Sequence, residues 1–128
     1  MGQIGTIRVV AAVVQRGPDY LVCQRPLNKR HGNLWEFPGG KCEPGESDAA
    51  ALHRELREEL GVSITSVGAE LFAIEDPESP FTIAFIPVTI NGEPSCLEHS
   101  ALTWAPVATL LNIPMAPSDR RFLEHLQA

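Results

Sequence analysis

The sequence predicts a mixed α/β fold, and three observations carry that prediction. Short β-branched and apolar runs recur along the chain, separated by Gly, Pro and Asn turns. One longer stretch, from about Ser47 to Leu60, has helical periodicity, with three alanines in a row and leucines at 52, 56 and 60. No internal repeat and no linker interrupts the 128 residues, so one domain spanning 1–128 is expected around one hydrophobic core.

The elements follow in order. Thr6 to Gln15 is β-branched and apolar and reads as a buried strand. The turn RGPD leads into YLVCQR, a second strand, and the two are expected to form a hairpin. PLNKRHGN is polar and rich in turn formers, hence loop, and LWEF is a brief extended piece stopped by Pro38 and the glycine pair. In the helix that follows, Ala49, Leu52, Leu56 and Leu60 make an apolar stripe, and Gly61 supplies the stop. Further strands are expected around Val67 to Ile74, Phe81 to Ile90 and Leu102 to Ala105. Pro87 interrupts the second of these, which predicts an edge strand or a bulge. Pro106 is placed to open a short helix to Leu111, and Ser118 or Asp119 to cap a last helix ending near Leu126.

Composition narrows the function. Ten basic residues stand against sixteen acidic ones, a formal net charge of -6. That balance excludes a protein that coats a nucleic-acid polymer, because phosphate-backbone binding relies on basic surface. Small phosphorylated substrates stay open, since a divalent metal inverts the local field. Cys23, Cys42 and Cys96 are odd in number and lack CxxC spacing, so free thiols in a reducing compartment are expected. The run IRVVAAVV is too short to span a membrane, and the start lacks the features of a signal peptide. Cytoplasmic residence is the resulting expectation.

The stretch GGKCEPGESDAAALHRELREELGV, Gly39 to Val62, carries the chemistry. Glu55, Glu58 and Glu59 are spaced i, i+3, i+4, where like charges repel unless something positive sits among them. They flank the leucine stripe, so the leucines are expected to anchor the helix while the glutamates look outward, with Arg54 four residues before Glu58. The helix alone supports two readings, a solvated charged face or a cation site. Oxygen ligands without His or Cys in the motif favour Mg²⁺ or Mn²⁺ over zinc. Gly39, Gly40 and Gly45 suggest a closely approached loop, although glycine pairs are also common turns, and Glu46 adds an acid near the helix entrance.

Loop and helix together resemble the Nudix box, Gx5Ex7REUxEExGU, where U is bulky and aliphatic. Gly40, Glu46, Arg54, Glu55, Leu56, Glu58, Glu59, Gly61 and Val62 fill every fixed position. The resemblance implies an α/β/α sandwich around a central mixed sheet. It also implies Mg²⁺- or Mn²⁺-dependent hydrolysis of a nucleoside diphosphate linked to another group. Glu55, Glu58 and Glu59 would then be the metal-ligand set, joined by the Gly39 carbonyl. Arg54 would orient a carboxylate through a salt bridge, and Glu46 would support that network.

The pieces LWEFPGGKCEPGE, EHSALTW and PMAPSD are similar to the MutT-type nucleoside triphosphate pyrophosphohydrolases within the family. That similarity implies water attack at the β-phosphorus, releasing a nucleoside monophosphate and pyrophosphate. Arg25 takes the place of a phosphate-contacting arginine. Glu98, six residues before Trp104, takes that of an acid that joins the metal or activates water; the general base is Glu58 or Glu98. Where the MutT pattern has an asparagine that reads oxidised guanine, this chain has Asp119. An ionised carboxylate only accepts hydrogen bonds, so Asp119 is expected to face an amino group such as cytosine N4 or the exocyclic amine of guanine. Helix capping is its other reading.

The same pieces also look like the cytidine-nucleotide branch of these enzymes, making CTP, dCTP or a 5-substituted dCTP the first candidates. The alternatives are an oxidised-purine (8-oxo-dGTP) sanitising hydrolase, a hydrolase of ADP-ribose or another nucleoside diphosphate derivative, an enzyme for an unusual triphosphate such as a pterin precursor, and a non-catalytic nucleotide-binding module. Trp35, Phe37 and Phe81 are candidates to stack on a base and equally candidates for the core. His31, with Lys29 and Arg30, forms either a basic patch facing phosphates or an ordinary exposed loop; His53 has a structural or solvent role, and His99 has no assigned one. Monomer and homodimer stay open.

Overall fold

The computed structural model describes residues 7–127, so Thr6, where the first strand is expected to begin, lies outside the described residues. The chain runs β1 (Ile7–Val13), β2 (Gln15–Arg16), β3 (Asp19–Gln24), β4 (Trp35–Glu36), β5 (Gly39–Lys41), α1 (Asp48–Leu60), β6 (Ser63–Val67), β7 (Phe72–Glu75), β8 (Phe81–Asn91), β9 (Ala101–Ala105), α2 (Val107–Leu110) and α3 (Pro117–Gln127).

Strand β1 shows why the order of apolar residues matters. Its alternate residues Val10 and Ala12 join a core with Leu52, Leu56 and Leu60 of α1, while Ala11 and Val13 join a second core with Phe122 and Leu123 of α3. A strand buried on both faces reads as a continuous apolar run, which is what VVAAV, Val9 to Val13, is. The result is helix on both sides of strand, the expected α/β/α layering. The first sheet has the order β5-β1-β8-β6, with β7 also on β8. It is mixed: β1 and β8 run parallel from Ile7↔Phe81 to Val13↔Pro87, and the other pairs are antiparallel. In the second sheet β3 pairs with β2 at its start, β4 at its end and β9 along its length, all antiparallel.

Helix α1 has the expected ends. Ser47 Oγ accepts from the Ala50 N–H at 3.1 Å, and Gly61, at φ 71°, donates its N–H to Arg57 O at 3.1 Å. The stripe is Leu52, Leu56 and Leu60, completed by fully buried Ala51, whereas Ala49 is only half-buried.

Four details depart from the sequence reading. The first hairpin exists only at its tip, Gln15↔Tyr20 and Arg16↔Asp19, because β1, apolar on both faces, belongs to the middle of the other sheet. The single strand expected over 67–74 is two, β6 and β7, divided opposite Pro87, where Gly68 N–H donates to Pro87 O at 2.8 Å and Leu71 N–H to Phe85 O at 2.8 Å. Pro87 itself lies in an interior strand, not an edge. It is tolerated where the β1 pairing ends and the β6/β7 side is broken, and the bulge falls in β6, between Ile64 and Ser66. Finally, α3 starts at Pro117, so Ser118 and Asp119 lie inside its first turn and neither caps it.

The glycine pair, expected to stop a strand, forms one. Strand β5 pairs Gly39 with Ala11 and Gly40 with Val10. Gly39 sits at φ 154°, and a Cβ there would collide with the Val10 carbonyl of β1. Gly45, at φ 79°, has no neighbouring atom in the way. Gly39→Ala is therefore expected to lower the unfolding free energy by more than about 2 kcal/mol, and Gly45→Ala by only about 1 kcal/mol. Urea denaturation of the two variants checks that ranking.

Candidate active site

Arg54 organises the first half of the site. Its Nε donates to Glu46 Oε2 at 2.9 Å and its Nη2 to Glu46 Oε1 at 2.8 Å, a two-pronged pairing. Nη1 donates to Glu55 Oε2 at 3.0 Å and lies 3.6 Å from Glu58 Oε1, and Nη2 also donates to the Lys41 carbonyl at 3.0 Å. These bonds hold the Glu46 carboxyl down to about 2. The i,i+4 pair with Glu58 is thus the weaker contact, and Arg54 chiefly orients Glu46 and Glu55.

The three helix carboxylates do not all look outward. The Glu58 side chain is 50% exposed, but Glu59 is only 7% exposed beneath β5, where Gly39 N–H donates to its Oε1 at 3.3 Å. Glu55 lies against Gly40, so closely that a Cβ there would strike its carboxylate. The reason is the cover: β5 packs on α1 and closes over the side of the helix next to the leucines. Glu55 and Glu59 come within hydrogen-bonding reach of each other. Burial raises both carboxyls, and for Glu59 the charges of Glu55 and Glu36 add to it.

Two backbone contacts bring other elements to this end of the helix. Ser95 N–H donates to Leu60 O and Leu97 N–H to Glu59 O, each at 3.0 Å, satisfying carbonyls at the end of α1 and docking the loop that carries Glu98 and His99. The C-terminal segment docks along β4, with Trp35 N–H donating to Pro114 O and Ala116 N–H to Trp35 O, each at 2.8 Å. That docking sets the first turn of α3 beside Phe37.

These elements surround a cleft of about 490 Å³. It gathers the expected Arg25, Gly39, Gly40, Glu59, Phe81, Glu98 and Asp119, while Arg54, Glu46, Glu55 and Glu58 lie outside its lining, in the adjoining ion-pair network. Arg25 Nη1 is held by Glu36 Oε1 at 3.2 Å and its Nε donates to the Arg30 carbonyl at 2.6 Å. Lys29, Arg30 and His31 line the same cleft, which supports the basic-patch reading of their loop; His53 is exposed on α1. Phe81 is half-buried in the wall, with Lys41 Nζ 5.1 Å from its ring centre. Phe37 borders the cleft, but its ring is 3% exposed and packs edge-on against Phe85 and Phe122, so the stacking role expected of it gives way to a core role.

Asp119 corrects the sequence reading most. It is buried, and its Oδ1 accepts the Phe37 N–H at 2.8 Å. Burial first, and the charge of Glu36 second, push its carboxyl up to about 8. At neutral pH it is mostly protonated, so it can donate as well as accept, as an amide does. Glu36 is a cleft residue the sequence reading missed; its only signal is an acid between two aromatics in a short strand. Lys41 and Ser118 were missed as well, the latter with its Oγ buried and without a partner among the described residues.

Among the described residues, no three His, Cys, Asp or Glu side chains are gathered into a ready ligand cage. Glu55 is turned to Arg54, and Glu58 points to solvent. The donor chemistry nonetheless fits a hard divalent cation: all oxygen, with buried Glu59 contacted by no Lys or Arg side chain among the described residues. The cysteines are free, with Cys23 buried in the core, and no helix among the described residues is long and apolar enough to cross a membrane.

The fold is thus an α/β/α sandwich that sets an acidic helix under a glycine strand at the end of this cleft. The NUDIX domain family matches residues 5–126, and the chain belongs to that family of hydrolases. It is 41% identical over 125 residues to a CTP pyrophosphohydrolase of Escherichia coli (strain K12), covering 95% of this chain and 92% of that one. It is 36% identical over 85 residues to an 8-oxo-dGTP diphosphatase of Proteus vulgaris, covering 65% of this chain and 76% of that one. The solution structure of the E. coli ORF135 protein superposes with a TM-score of 0.82 at 38% identity, over 97% of this chain and 90% of that one.

The raised carboxyl of Asp119 has a consequence for stability. Between about 4 and 8 the folded chain holds a proton that the unfolded chain releases, so stability falls as pH rises through that window. Glu46 acts the other way, and only below its ordinary value. Glu59, also pushed up by burial, adds to the same slope, so the melting temperature of the metal-free protein is expected to drop by several degrees from pH 5.5 to 8.5, and Asp119→Asn to lessen that drop, as read by calorimetry at each pH.

Proposed function

We propose that this chain hydrolyses nucleoside triphosphates to a nucleoside monophosphate and pyrophosphate, with water attacking the β-phosphorus. Cytidine nucleotides, CTP, dCTP or 5-substituted dCTP, are the first candidates. The observation that carries the proposal is the shared cleft, which joins buried Glu59 and the glycine strand to a second acidic pair, Glu36 and Asp119, beside the Phe81 wall. One end suits a cation and polyphosphate; the other suits a base edge.

In this reading Glu55, Glu58 and Glu59, with the Gly39 carbonyl and Glu98, hold Mg²⁺ or Mn²⁺. Bound there, the cation would supply neutralisation of phosphate oxygens and activation of the attacking water. Arg54 keeps Glu55 oriented and Glu46 locks Arg54. Arg25 and the Lys29–Arg30 loop contact phosphates, and Glu58 or Glu98 accepts the proton of the attacking water. At the base, Glu36 accepts from the cytosine amino group while protonated Asp119 donates to ring N3. The name of the E. coli relative supports cytidine nucleotides. A second reading, oxidised guanine nucleotides, gains from the same proton on Asp119, because a group that both donates and accepts replaces the asparagine of that pattern. The name of the P. vulgaris relative supports it.

A nucleotide screen with Mg²⁺, reading pyrophosphate against orthophosphate, separates the two. Fastest pyrophosphate release from dCTP or its 5-substituted forms is expected; preference for 8-oxo-dGTP favours the second reading, and AMP release from ADP-ribose with inert triphosphates contradicts both. Glu59→Gln is expected to stay folded, with an unchanged or higher melting temperature since a neutral amide avoids the cost of ionising a buried carboxyl, and to turn over at least about 100-fold more slowly.

A further inference from the structure

We propose that His99 is a positioning residue: wedged between Glu36 and Glu59, it fixes the backbone from which Glu98 reaches the reacting phosphate and holds the Glu36 carboxylate beside the base. The proposal rests on the functional reading above, since it concerns how that cleft is set.

The loop between β8 and β9 is neither helix nor strand, so its shape depends on a few anchors. Three are backbone bonds, from Ser95 to Leu60, Leu97 to Glu59 and Ser100 to Gln24, each at 3.0 Å. Glu98 lies between the last two anchors, exposed, and among the described residues no side-chain hydrogen bond or ion pair holds it. The next residue is the opposite case. The His99 side chain is 6% exposed, and its Nε2 lies 2.9 Å from Glu36 Oε2. A carboxylate only accepts, so Nε2 carries the hydrogen.

The second ring nitrogen is what a packing role leaves unexplained. Nδ1 is buried without a partner among the described residues and faces Glu59 Oε1 at 4.0 Å, beyond hydrogen-bond range. A leucine or phenylalanine would fill this slot without the desolvation cost of a bare nitrogen. The imidazole instead spans the gap between the carboxylate held by Arg25 and the carboxylate held by Gly39. A hydrogen-bonded chain runs from the Arg30 carbonyl through Arg25 and Glu36 to His99, whose Nδ1 then faces Glu59 and the glycine strand across 4.0 Å. Adjacent Cα atoms are about 3.8 Å apart, so a ring seated in that chain also fixes where Glu98 stands.

The test is a double-mutant cycle of wild type, His99→Ala, Glu98→Gln and the pair, each measured for melting temperature, Mn²⁺ affinity by calorimetry and hydrolysis of the best triphosphate. His99→Ala is expected to lower kcat about 100-fold, to leave KM within about threefold and to weaken Mn²⁺ binding about tenfold. In the Glu98→Gln background the same substitution is expected to cost less than about threefold, because the group it positions is already disabled. His99→Gln, whose amide keeps a donor for Glu36, is expected to recover most of the loss. Equal losses in both backgrounds overturn the proposal, as do unchanged kcat and Mn²⁺ affinity in a folded His99→Ala protein. If that variant fails to fold, His99→Phe, which fills the slot without a ring nitrogen, replaces it in the cycle. If the wild type hydrolyses no nucleotide while the His99 variant still loses Mn²⁺ affinity, the functional reading falls and the positioning role stands.

Discussion

The close approach of β5 to its two neighbours is the constraint on which the site depends. A side chain at Gly39 would strike the backbone of β1, and one at Gly40 would strike Glu55. Without those side chains the strand slots between the central sheet and α1, and its Gly39 N–H reaches a carboxylate on the helix. The leucine stripe fixes the depth of α1, the glycines fix the distance, and burial of Glu59 follows from the two together. A turn at this place would leave Glu59 in water with an ordinary affinity for protons.

Charge distribution then separates paired acids from unpaired ones. Arg54 is committed to Glu46 and Glu55, and Arg8 to Asp48 through a two-pronged pair at 2.8 and 2.7 Å that holds Asp48 below its usual range. Among the described residues Glu59 and Asp119 are buried with no such partner, and both are pushed upward. Buried carboxylates left unpaired at a cleft are poor contributors to stability and good candidates for function. Nudix hydrolases generally use divalent metals, and this all-oxygen donor set suits such a cation.

Much of this was legible in the sequence because it is local. The helix, its glycine stop, its leucines and the box spacing are all read within one stretch of 24 residues, Gly39 to Val62. The free thiols and the helix after Pro106 follow from equally short-range signals. What stayed hidden depends on contacts distant in sequence. A glycine pair reads as a turn unless a strand 30 residues earlier is known to receive it, as Val10 does Gly40. Pro87 reads as an edge until β1 and β6 are seen on either side of it. Asp119 reads as a capping, acceptor-only carboxylate until Phe37, 82 residues away, is found donating to it inside the core. His99 shows no pattern at all, because Glu36 and Glu59 come from different elements.

The central claim is that the glycine strand delivers the acidic face of α1 to a divalent cation and a polyphosphate. The most direct measurement is anomalous diffraction from crystals holding Mn²⁺ and a nonhydrolysable nucleoside triphosphate. The account predicts an anomalous peak between the carboxylates of α1 and the Gly39 carbonyl, with the phosphates beside it and the base between Glu36 and Asp119. A well-ordered nucleotide in the cleft with no manganese against those groups would contradict it.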